Sequence, residues 1–75
     1  MTIVSQNKMA LINYDNMFFL EIQTTISGCD IRCIASENVE IILASYDSKD
    51  KARSVLIEIL KNYNSNVKIY EMPLN

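Results

Sequence analysis

Between Met17 and Ser45 the chain runs through three short segments of alternating polarity separated by two polar turns, and this rhythm constrains its fold more than any other feature. Met17 to Thr24 sets Phe18, Leu20 and Ile22 against Met17, Phe19, Glu21 and Gln23, a period of two carried by aromatic and β-branched residues. Ser27-Gly28 interrupts it. Cys29 to Ala35 resumes with Cys29, Ile31, Cys33 and Ala35 on one side and Asp30, Arg32 and Ile34 on the other. After Ser36-Glu37-Asn38, Val39 to Ser45 alternates again, Val39, Ile41 and Leu43 opposing Glu40, Ile42 and Ala44. Turns this short leave room only for antiparallel neighbours, so the three segments predict a meander.

Two further extended segments precede the meander, around Thr2 to Ser5 and Met9 to Tyr14, separated by the turn-forming Gln6-Asn7-Lys8. A helix follows it. Asp47 or Ser48 can cap its start, Asp50 sits in the first turn where the macrodipole favours an anion, and Ala52, Val55, Leu56, Ile59, Leu60 and Tyr63 form one apolar stripe. Asn62, Asn64, Ser65 and Asn66 end the helix, and Val67 to Met72 reads as a last strand before Pro73. The order is β-β-β-β-β-α-β. It predicts an α+β fold: an antiparallel sheet of five to six strands, flat or curled, with one helix from the C-terminal half packed on one face. Residues 1–75 form a single domain.

The helix stripe is wide enough to cover Phe18, Leu20, Ile22, Ile31, Cys33, Ile41 and Leu43. The opposite face then carries Met17, Phe19, Ile34, Ile42 and Tyr70 or Met72, more apolar surface than an antiparallel sheet normally shows to water. Three coverings are open: the N-terminal hairpin folding across to curl or split the sheet, a second copy of the chain, or a foreign partner. Met17, Phe19, Ile34, Ile42 and Tyr70 are accordingly the candidate partner-binding or oligomer-interface residues. Small size favours an oligomer, because a chain this short buries only about 60% of its unfolded surface. Ile57, off the helix stripe, points the same way.

Composition removes most chemistry. The single glycine cannot build a GxGxxG or P-loop phosphate cradle, and the absence of histidine takes away the commonest general base and zinc ligand. Cys29 and Cys33, four residues apart on a strand at about 3.3 Å per residue, lie beyond the roughly 7 Å reach of a disulfide, and no four-ligand zinc set exists around them. They are expected to be free, buried thiols. Net charge is −2 with no basic stripe, which argues against nucleic acid. Lys49, Lys51 and Arg53 could hold an anion at the helix start, although a solvated helix face explains them as well. No apolar run exceeds four residues, so no membrane span is expected, and a cytoplasmic location follows. No cofactor and no catalytic residue is assigned. Four tyrosines and two phenylalanines leave stacking on a small nucleotide permitted.

The run Asn13-Tyr14-Asp15-Asn16 before a strand, the Tyr46-Asp47-Ser48 helix entry followed by Ala52, Val55-Leu56 and Glu58-Ile59, and the closing Tyr70-Glu71-Met72-Pro73 resemble a group of small uncharacterised proteins of Firmicutes and their prophages. The resemblance covers most of the chain and carries over no catalytic residue. It implies a phage-borne protein that acts by binding, blocking a host protein such as a CRISPR or other defence effector. The alternatives are a sponge for a small nucleotide immune signal and a structural oligomerisation module.

Overall fold

The computed structural model describes all of residues 1–75. Its elements are β1 (Thr2–Val4), β2 (Leu11–Asn13), a single 3-10 turn (Tyr14–Asn16), β3 (Phe19–Thr25), β4 (Gly28–Ser36), β5 (Val39–Tyr46), α1 (Lys49–Asn64) and β6 (Ile69–Glu71). The fold is α+β, in the predicted element order. The predicted five-to-six-stranded meander is not what forms. There are two three-stranded sheets, β3-β4-β5, antiparallel throughout, and β2-β1-β6, in which β1 is antiparallel to β2 and parallel to β6.

The split has a local cause. In β5 one residue is extra: Ile31 pairs with Ala44 and Arg32 with Ile42, so Leu43 is a bulge. A bulge sends two consecutive side chains to the same face and bends the strand. Both Leu43 and Ala44 therefore point into the core, at 1% and 3% exposure, where strict alternation places Ala44 outside. Gln6 seals the bent edge. Its backbone N–H donates to the Leu43 carbonyl at 2.8 Å, its side-chain Oε1 accepts from the Ser45 N–H at 3.0 Å, and its Nε2 donates to the Ser45 carbonyl at 3.2 Å. The same Nε2 lies 3.1 and 3.0 Å from the Pro73 and Leu74 carbonyls, so one amide ties β5 to both ends of the chain.

The N-terminal hairpin forms through local polar groups. Asn7 Oδ1 accepts from Ser5 Oγ and the Met9 N–H, Ser5 Oγ accepts from the Ala10 N–H, and Lys8 takes the left-handed conformation at φ 65°. Ser5 is thus buried without an unmet hydrogen bond. The helix starts as predicted at Ser48, whose Oγ accepts from the Lys51 N–H, and ends before Asn66 at φ 61°. Gly28 is at φ 155°, where a Cβ would collide with the Tyr46 carbonyl oxygen, so the β3–β4 turn requires glycine.

One core unites these parts. Ile3, Ile12, Tyr70 and Met72 from the small sheet meet Ile31, Cys33, Leu43 and Tyr46 from the large one, and Ala52, Val55 and Ile59 of the helix. Cys29 and Cys33 are free and buried. Burial pushes the Tyr46 hydroxyl up to about 12, helped by the nearby Glu58 carboxylate. Three expected core positions fall outside: Phe18 is 63% exposed, Leu60 52% and Tyr63 38%. Phe18 precedes the strand proper, and Leu60 lies on the flank of α1 that overhangs the β3 edge.

Replacing Gln6 by leucine keeps its volume and removes the side-chain bonds to Ser45, Pro73 and Leu74. The expected cost is about 1–2 kcal/mol, or roughly 5–15 °C in melting temperature, with Gln23→Leu on the open face of β3 near neutral. Thermal and urea unfolding followed by circular dichroism measure both.

Candidate functional site

The outer face of β3-β4-β5 has no layer over it. Register places Phe19 beside Ile34, Arg32 between Glu21 and Ile42, and Asp30 between Gln23 and Ser45. Phe19 and Ile42 are half exposed, at 49% and 50%. Between them lies Arg32, its Nη1 2.6 Å from Glu40 Oε1 and its Nη2 3.3 Å from Asp30 Oδ2. Ser45 Oγ donates to the other Asp30 oxygen at 2.7 Å. The hydrogen bond to Glu40, followed by the attraction of Glu40 and Asp30, raises the Arg32 pKa above its usual value. The guanidinium is thereby held between the Glu40 and Asp30 carboxylates, with its Nε buried and unpartnered.

Of the five residues predicted for this surface, the structure brings three together, Phe19, Ile34 and Ile42. The other two are elsewhere. Tyr70 is 6% exposed and faces the core, its hydroxyl donating to Glu58 Oε1 at 2.6 Å, because β6 joins β1 in the small sheet instead of extending the large one. Met17 turns inward, where the Cys33 thiol reaches its sulfur at 3.6 Å. Nor do Lys49, Lys51 and Arg53 form one anion cradle. At about 100° per residue Lys51 lies roughly opposite the flank shared by Lys49 and Arg53, and it borders a hollow with Tyr46, Asp47 and Leu74 instead.

Round the β3 edge the apolar surface continues into a groove of about 560 Å³ between the start of β3 and the second half of α1, lined by Tyr14, Phe18, Phe19, Leu56, Leu60 and Tyr63 among others. Tyr14 and Tyr63 pack ring on ring, centroids 4.7 Å apart and tilted by 40°. The sole charged residue in the lining is Asp15, a carboxylate, so the groove suits apolar side chains and repels a phosphate. Sequence reasoning missed this groove. Its signal was the pair Phe18-Phe19, since consecutive residues entering a strand cannot both face one core.

The chain matches no family model, no curated protein and no solved structure. No helix of the chain is long and apolar enough to cross a membrane.

The Tyr63 hydroxyl donates to Asp15 Oδ1 at 2.8 Å, and with the amino terminus at 3.4 Å it holds the Asp15 carboxyl below its ordinary 3.8. A depressed folded pKa means that this link is fully present above the unfolded value and is lost only as pH falls through the folded one. In Tyr63→Phe the Asp15 carboxyl is expected to titrate at higher pH than in the parent chain. A ¹³C-detected NMR titration reads this directly, and an unchanged Asp15 pKa contradicts the assignment.

Proposed function

We propose that this chain is a non-enzymatic binding protein that engages a partner protein stoichiometrically through the outer face of β3-β4-β5. The observation that supports this reading is the pairing of half-exposed Phe19 and Ile42 with an Arg32 already oriented by Glu40 and Asp30. Binding hot spots combine aromatic and arginine anchors with aliphatic surroundings, and an arginine fixed before contact loses less side-chain entropy on association. Ile34 fills the space between Phe19 and the ion pair.

The same geometry speaks for binding over catalysis. Asp30 is engaged by Ser45 and Arg32, and Glu58 by Tyr70, in contacts that explain these groups structurally. A small-nucleotide ligand draws less support, since the aromatic groove offers no cation and the two tyrosines in it already pack on each other. The resemblance to small phage-borne proteins supports a host protein as the partner, with inhibition by occlusion as the mode of action.

The test is affinity capture from a lysate of the host cell, comparing the parent chain with Phe19→Asp and Ile42→Asp. Both substitutions lie on the open face and should fold normally. Loss of an anchor worth about 2 kcal/mol weakens binding roughly 30-fold, so the captured partner is expected to disappear from both variants and to survive Leu11→Asp on the small sheet. If Phe19→Asp and Ile42→Asp fold and retain the partner at parental yield, the outer face is not the binding surface.

A further inference from the structure

The four edge strands are not equally protected. β2 and β6 are three residues long, and β6 is flanked by the Lys8–Glu71 ion pair and Pro73. β5 is bulged and sealed by Gln6. β3 differs. It runs seven residues in unbroken register with β4, from Phe19↔Ile34 to Thr25↔Gly28, and contains no Lys, Arg, Pro or Gly and one charge, Glu21. Natural sheets guard a long edge with bulges, prolines or inward charges, and a strand lacking all three is a template for pairing.

What surrounds the edge suits a second copy of this chain. Thr24, Cys29 and Tyr46 are in one cross-strand row at the end of the sheet where α1 begins, while Leu20 shares the groove with Leu56, Ile59 and Leu60. The helix therefore runs antiparallel to β3. On it, Lys49, Arg53, Leu56, Leu60 and Tyr63 fall within about 80° of arc, making a flank that is basic at its N-terminal end and apolar at its C-terminal end. Asp15 stands beside that apolar end.

We propose that two copies pair β3 to β3 antiparallel about a two-fold axis at Ile22, giving one six-stranded sheet with both helices on the same face. The register follows from charge. Centred on Ile22, Glu21 of each copy stands opposite Gln23 of the other, whereas centring on Glu21 sets two carboxylates face to face. The two-fold also makes the helices antiparallel and brings Lys49 and Arg53 of one copy alongside Asp15 and the helix C-terminus of the other, a favourable match of charge and macrodipole. Spacing agrees: β4 strands three positions apart are separated by about 14 Å, more than the 8–10 Å of directly packed helices, and the excess is what Phe18, Leu60 and Tyr63 on the two flanks can fill. The outer face carrying Phe19, Ile34 and Ile42 stays open and is doubled; only Phe19, at the start of β3, borders both surfaces, so Ile34 and Ile42 separate this inference from the partner-binding surface.

The experiment is light scattering with size exclusion from micromolar to millimolar concentration, on the parent chain and on Arg53→Glu, Leu60→Asp and Ile42→Asp, with circular dichroism as the folding control. The parent is expected at twice its 8.6 kDa chain mass. Arg53→Glu and Leu60→Asp should weaken the dimer about a hundredfold, while Ile42→Asp leaves it intact. A double variant, Glu21→Cys with Gln23→Cys, should oxidise to a covalent dimer, the native thiols being buried. A parent that stays monomeric throughout, a dimer broken by Ile42→Asp alone, or failure of the double-cysteine variant to cross-link overturns the proposal. A folded Leu60→Asp monomer that still captures the host partner separates the two surfaces.

Discussion

The Gln6 amide and the Leu43 bulge form the joint on which the structure turns. A single extra residue in β5 rotates both Leu43 and Ala44 inward and bends the strand, and Gln6 then satisfies backbone groups that the bend takes out of the ladder. Because the same side chain holds the Pro73 and Leu74 carbonyls, β6 is drawn to β1. Tyr46 reinforces the arrangement by donating to Pro73 at 2.7 Å. Without this joint β1 would have an edge of β5 to extend, and a continuous sheet would follow.

Splitting the sheet determines which surfaces are left open. The small sheet and the helix both spend their inner faces on one core, so neither can cover the outer face of β3-β4-β5. That face is stabilised as a mixed surface: Phe19 and Ile34 on one cross-strand row, and the Arg32–Glu40–Asp30 cluster beside them. Glu40 is open to water, so its ion pair with Arg32 contributes little to stability, while Asp30 and Arg32 are largely buried. The effect of the cluster is to fix the orientation of a large planar cation before any partner arrives. The helix flank and β3 edge form a second open surface, with different chemistry and a different geometry of access.

Much of this was legible in the residues. The meander from β3 to β5, the Ser48 cap, the helix stripe through Ala52, Val55 and Ile59, and the outward placement of Phe19, Ile34 and Ile42 all follow from periodicity and capping, which are local. What was not legible depends on contacts distant in sequence. The parallel β1–β6 pairing joins residues nearly seventy apart, and no periodicity encodes it. Tyr70 was assigned to the wrong surface for that reason. The bulge at Leu43 shifts facing by one residue inside a run of four apolar side chains, Ile41 to Ala44, where alternation carries no signal. Met17 and Phe18 precede β3, so the strand's alternation does not govern them.

The central claim is that the open face of β3-β4-β5 meets a foreign protein in the cell. The most direct measurement is in-cell photo-crosslinking with a benzophenone amino acid placed at position 42, on that face, and separately at position 11, on the open face of the small sheet. The account predicts a discrete heavier adduct to another protein from position 42 and none from position 11. An adduct from position 11 with nothing from position 42 would contradict it.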